Sequence, residues 1–181
     1  MLSITIPYTE LWDEGKQKFR YVEEQTLELE HSLVSLSKWE SKWHKSFFAK
    51  QEKTYEETID YIKCMTLTPN VKSDVYLCLT NKHMEEIHNY LEDPMTATTF
   101  SDNRNSKASK EIITSELIYY WMIALQIPPE YQHWHINRLI TLIRVCEIKN
   151  APPGKKKSMR DIMAQNAALN KARRAQMNSK G

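Results

Sequence analysis

The chain has 181 residues, with 25 Lys/Arg and 23 Asp/Glu, for a formal net charge of +2. That length suits one domain, or one domain plus a tail. Its three glycines, at 15, 154 and 181, leave no G-x-G-x-x-G fingerprint and no phosphate loop, and they disfavour a β-sandwich or barrel built on glycine turns.

The pass along the chain begins with Leu2 to Ile6, which alternates apolar and polar as a half-buried strand does, and Pro7 stops the run. Asp13-Glu14-Gly15 reads as a turn. Phe19–Val22 and Gln25–Glu30 can return as strands, with Leu27 and Leu29 on one face. The period then changes to that of a helix. Ser32 is an N-cap candidate, and Leu33, Leu36, Trp39, Glu40, Trp43 and Phe47 follow at steps of three and four. Thr54-Tyr55-Glu56-Glu57 matches a capping box, and Ile59, Ile62 and Met65 continue as a stripe. Pro69-Asn70 breaks the chain. Val75–Leu79 fits either a short strand or a helical turn. Thr80 or Asn81 caps a helix carrying Met84, Ile87 and Leu91, which Pro94 ends.

Residues 95–107 read as a loop with a short extended piece at Thr96–Phe100. The next helix, about 114–126, is apolar all round, which predicts a central, buried element. Pro128-Pro129 ends it, and Pro129 can be the first residue of a helix over 129–148 with Ile136, Leu139, Ile140, Leu142, Ile143 and Cys146 on a broad apolar face. The two form an αα-hairpin. Ala151-Pro152-Pro153-Gly154 is a linker. Ser158-Met159-Arg160-Asp161 resembles a capping box for a last helix over 159–177, whose apolar stripe is thin: Ile162, Met163 and Leu169. Such a helix buries little surface alone, so it either frays or waits for a partner.

The predicted fold is therefore mainly α, of the α+β class. A small antiparallel β element precedes a compact helical domain over 1–150, and 151–181 forms a basic linker and tail helix. The charge divides along the same line. Residues 149–181 hold nine Lys/Arg against Asp161, a net +8, and 1–148 hold 16 Lys/Arg against 22 Asp/Glu, a net −6.

No catalytic constellation emerges. His133 and His135 are two apart and diverge on a helix; His83 and His88, five apart, do the same. No C-x₂-C or H-E-x-x-H spacing suggests zinc. The adjacent acid pairs, such as Glu56-Glu57, diverge and suit a helix's first turn. No Ser or Cys sits in a nucleophile motif. Cys64, Cys78 and Cys146 are an odd number at irregular spacing, which fits free thiols in a reducing compartment. No stretch reaches 18 apolar residues, and no signal peptide is visible. The reading is of a non-enzyme without cofactor, metal or membrane span.

Two features suit partner binding. Trp39 and Trp43, at i and i+4, are either core or an aromatic docking edge. Lys155, Lys156, Lys157, Arg160, Lys171, Arg173 and Arg174 can grip an acidic partner, neutralise phosphates or simply solvate an exposed end. Nucleic acid is disfavoured, because the body is acidic, no aromatic interleaves these cations and no reader motif appears.

Several stretches resemble a set of small tailed-phage proteins. They are Leu29–Lys45 (LEHSLVSLSKWESKWHK), Pro94–Phe100 (PMTATTF), Glu111–Leu125 (EIITSELIYYWMIAL), Trp134–Cys146 (WHINRLITLIRVC) and Arg173–Asn178 (RRAQMN). The resemblance touches most of the chain. Proteins of this kind are encoded near the tail tube and tape-measure genes and are usually assigned as tail assembly chaperones. The resemblance implies a non-enzymatic factor in the host cytoplasm that binds the tape-measure protein and helps the tail tube polymerise. It brings no catalytic or ligand residue with it. The alternatives are a virion subunit (baseplate, hub or connector) and a small nucleic-acid-binding regulator acting through the basic tail.

Overall fold

The computed structural model describes residues 1–100, 112–151 and 163. The fold is mainly helical, with an antiparallel β element at the N-terminus. The chain divides into two compact units, Met1–Cys146 and Glu147–Gly181.

Four strands open the first unit: β1 (Leu2–Ile6), β2 (Thr9–Asp13), β3 (Lys18–Val22) and β4 (Gln25–Leu29). β1 pairs with β4 and β2 with β3, both antiparallel. The pairs share one register. Leu2 lies opposite Leu29, Ile6 opposite Gln25, Thr9 opposite Val22 and Asp13 opposite Lys18. The four strands are thus the two arms of one long hairpin, interrupted at Pro7-Tyr8 on one arm and Glu23-Glu24 on the other. Pro7 has no N–H to give to the ladder, which explains why pairing lapses there. The β2 strand escapes the sequence pattern, because Trp12 sits on its outward face and breaks the apolar-in, polar-out alternation.

The outer edge of β4 is covered. Glu30 N–H donates to Met65 O at 2.9 Å and Leu67 N–H to Glu28 O at 2.7 Å. Thr68 Oγ1 accepts from Glu28 N–H and donates to Thr26 O. This removes a free strand edge that would otherwise template aggregation.

Among the described residues the α-helices that follow are α1 (Leu33–Trp43), α2 (Tyr55–Met65), α3 (Ser73–Leu77), α4 (Asn81–Glu92), α5 (Ser115–Ala124) and α6 (Ile136–Asn150). Their starts follow local chemistry. Ser32 Oγ accepts from Ser35 N–H, and Thr54 and Glu57 form a reciprocal capping box. Thr80 caps α4, with His83 in the reciprocal role that Glu or Gln usually fills. α1 stops at His44, which takes the left-handed conformation at φ 52°. Phe47 therefore lies in the loop beyond α1, not on its helical stripe. Val75–Leu77 belongs to a helical turn, and Thr96–Phe100 forms no strand.

Two expectations need correction. The helix predicted over 129–148 is two elements, a 3₁₀ turn at Pro129–His133 and α6 from Ile136. Trp134 adopts extended backbone between them. The helix predicted to be buried all round, α5, buries only Ser115, Ile118 and Met122. Tyr120 is 64% exposed and Ile123 77%. The residues of the loop over 101–107, the 159–177 helix and its capping box lie outside the described residues, apart from Met163, which is helical and exposed.

α1 separates two cores. Trp39 joins Ile4, Ile6, Leu27, Leu29, Ile62, Met65 and Ile87 on one side. Leu33 and Leu36 join Ile118, Met122, Ile136, Leu139 and Ile143 on the other.

Candidate partner-binding groove

The two α1 tryptophans clasp α2. Trp39 is 1% exposed, and its Nε1–H donates to Glu57 O at 2.9 Å. Trp43 is half-buried, and its Nε1–H donates to Asp60 Oδ2 at 2.9 Å. Lys45 pairs with Glu57 at 2.5 Å, and Lys42 pairs with Asp60. The Lys45 and Thr54 hydrogen bonds hold the Glu57 carboxyl below its usual range. Burial works against Asp60, yet its bonds from Lys42 and Trp43 hold it low as well. Trp39 is thus a core residue and offers no docking edge; only Trp43 retains exposed surface there. The basic candidates Lys155, Lys156, Lys157, Arg160, Lys171, Arg173 and Arg174 lie outside the described residues.

On the other side of α2 a groove opens toward α4. It is a cavity of about 610 Å³, walled by Phe47, Phe48, Tyr61, Ile62, Ile87 and Leu91. Lys53, His88, Glu92 and Asn137 border it. Lys53 Nζ lies 4.0 Å from the Phe47 ring centre and donates to Phe47 O at 2.9 Å. Burial lowers its pKa, with Glu57 opposing that shift.

The groove backs onto a polar knot that sequence reading did not single out. His31 Nδ1 and the Tyr61 hydroxyl are 2.5 Å apart, and the His31 and His135 rings meet edge to face. Burial, then His135 and Lys53, lowers the His31 pKa to about 3. Burial drives the Tyr61 hydroxyl well above its usual value. Both groups are therefore neutral near pH 7. His135 Nδ1 accepts from Asn137 N–H, so its Nε2 carries the proton and donates to Tyr90 O at 3.0 Å. Tyr90 in turn donates to Glu30 Oε1 at 2.6 Å. The knot joins the β4–α1 link, through Glu30 and His31, to α2, to α4 and to His135 just before α6. No short-range spacing could reveal it, because its members come from four separate stretches of the chain.

Among the described residues, no group of three or more His, Cys, Asp or Glu side chains is placed to hold a metal ion, and no helix is long and apolar enough to cross a membrane. No family model, curated protein or solved structure matches the chain.

Proposed function

We propose that the protein is a non-enzymatic tail assembly chaperone of a tailed phage, which binds the tape-measure protein and promotes assembly of the tail tube. The observation that supports this is the α2–α4 groove. Its apolar walls and charged rim suit the apolar face of an amphipathic helix, and a tape-measure protein is a long helical chain. Such a groove shields apolar side chains until the tube closes around them.

Co-expression of the full chain with the tape-measure protein tests the reading. A soluble complex is expected, and Phe48→Asp on the exposed groove rim is expected to weaken it about tenfold or more. A tape-measure protein that stays unbound, or binds the variant equally well, sinks the proposal.

One observation favours the alternative of a virion subunit. Ile112, Tyr120 and Ile123 leave an apolar surface on and beside α5, and lasting interfaces are more apolar than transient ones. Mass spectrometry of purified virions separates the two readings, because a subunit persists at fixed copy number and a chaperone is absent.

A further inference from the structure

The tip of the hairpin carries four exposed aromatic side chains: Tyr8, Trp12, Phe19 and Tyr21, each between 51% and 61% exposed. They form two contacts. Trp12 and Phe19, directly opposite across β2 and β3, meet edge to face at 5.0 Å; Tyr8 and Tyr21 stack at 6.2 Å.

Their exposure follows from the hairpin's register. In β1 and β4 the side chains facing the core are Leu2, Ile4, Ile6, Leu27 and Leu29. Continued by strict alternation, that face leads to Tyr8, Glu10, Trp12, Phe19 and Tyr21. Yet in β2 and β3 the more buried residues are Thr9, Leu11, Asp13, Arg20 and Val22. The ribbon turns over at Pro7-Tyr8 and Glu23-Glu24, and an aromatic face in phase with the core emerges into solvent. The opposite face anchors the tip. Val22 belongs to the same core cluster as Val75 and Tyr76, Leu11 packs against that cluster, and Arg20 binds Asp74 at 2.9 Å and Asp13 at 3.3 Å. The aromatic ladder is thus held on a fixed support.

Glu10 is the charged strand residue in phase with this face, with Glu14 and Lys16 exposed in the turn beyond it. Glu10 sits opposite Tyr21, and Glu23 and Glu24 follow at the break. None of the three has an ion-pair partner among the described residues. The tip's strand cations are placed elsewhere: Arg20 is paired on the anchored face, and Lys18 lies opposite Asp13 in the same alternation. Aromatic rings beside unpaired carboxylates attract Lys and Arg side chains, through the ring faces and through the charges. They repel phosphate backbones, and a second copy of the same acidic face.

From this we infer that the aromatic face of the β2–β3 ribbon docks a partner segment of basic and apolar composition, with Lys or Arg beside apolar side chains. This surface is separate from the α2–α4 groove, and substitutions in one leave the other intact, so failure of either role is read independently.

The test selects a displayed library of random 15-residue peptides on the full-length protein. Enrichment of sequences combining Lys/Arg with apolar residues is expected, with at least about tenfold weaker binding to a Trp12→Ala/Phe19→Ala variant. A second variant, Glu10→Lys/Glu23→Lys, keeps the rings and so remains informative if the first loosens the ribbon; on it, basic peptides are expected to be lost. Enrichment of neutral or acidic peptides, or unchanged binding of the basic ones to both variants, overturns the inference. So does a wild-type dimer that the Trp12→Ala/Phe19→Ala change dissociates, because the occupant is then a second copy. Salt-sensitive binding of a 20-nucleotide single strand, abolished by the same change, overturns it in favour of nucleic acid.

Discussion

Glu40 and Ser115 are 75 residues apart in the chain, yet one Glu40 carboxylate oxygen accepts the Ser115 backbone N–H at 2.7 Å. The other carboxylate oxygen accepts the Phe47 N–H, also at 2.7 Å. Glu40 is only 7% exposed. A single buried acid on α1 thus ties down the loop after α1 and the first turn of α5. Both partners are backbone donors at places where a helix or loop would otherwise leave them unpaired.

Glu40→Ala strands both donors in a buried site. Bonds to a charged group contribute about 1.5–3 kcal/mol each, so a loss of roughly 3 kcal/mol or more is expected. Glu40→Gln, which keeps one good acceptor, is expected to cost about half as much. Urea denaturation midpoints measure both. Equal, small effects would show that neither bond matters.

Trp39→Ala is expected to destabilise the protein by about 3–5 kcal/mol, through the lost ring and the orphaned Glu57 carbonyl. Trp43→Ala, at a half-exposed position, is expected to cost clearly less. If the two costs are equal, Trp39 is not the core residue its burial indicates. Thermal melts of the two variants decide this.

Stability is expected to fall on acidification between about pH 6.5 and 5. His31 has a folded pKa of about 3, below the ordinary value of 6.5, and His135 is shifted in the same direction. The unfolded chain therefore binds more protons than the folded one across that window. The stabilisation is complete above pH 6.5 and is lost progressively toward the folded pKa. Over pH 5–6.5 most carboxylates stay ionised in both states, so the slope reports the histidines. His31→Gln is expected to flatten it, and urea midpoints at pH 5, 6 and 7 measure the difference. An unchanged slope in the variant would remove His31 from the account.

His44→Gly is expected to raise stability by about 0.5 kcal/mol. The left-handed position costs an ordinary residue about 1–2 kcal/mol, and glycine's greater unfolded freedom returns part of that gain. A lower melting temperature in the variant would mean that the His44 side chain makes a compensating contact.

Ile123→Glu on α5 is expected to change stability by no more than about 0.5 kcal/mol, whereas Ile118→Ala on the same helix costs about 2–4 kcal/mol. Chemical denaturation of the pair measures how one-sided the burial of this apolar helix is.

Much of this protein was legible from local signals. The capping residues Ser32, Thr54 and Thr80 start α1, α2 and α4, because an N-cap depends on a few neighbouring residues and on little else. The alternation of Leu2 to Ile6 and the apolar stripe Ile59, Ile62 and Met65 marked a strand and a helix for the same reason. The charge division between 1–148 and 149–181 is likewise a property of sequence alone. What the sequence could not settle is which apolar face meets another. Trp39 and Trp43 read first as core and second as a docking edge, and the tertiary structure separates them: Trp39 is buried with its bond to Glu57 O, while Trp43 is half-buried with its bond to Asp60. α5 reads as a buried helix because hydrophobicity records what a side chain prefers, not whether a neighbour arrives to cover it. The aromatic ribbon makes the same point from the other direction. Its side chains are in phase with the core, and only the turn of the hairpin at Pro7-Tyr8 and Glu23-Glu24 puts them into solvent. Burial is a relation between distant elements, and periodicity describes only one element at a time.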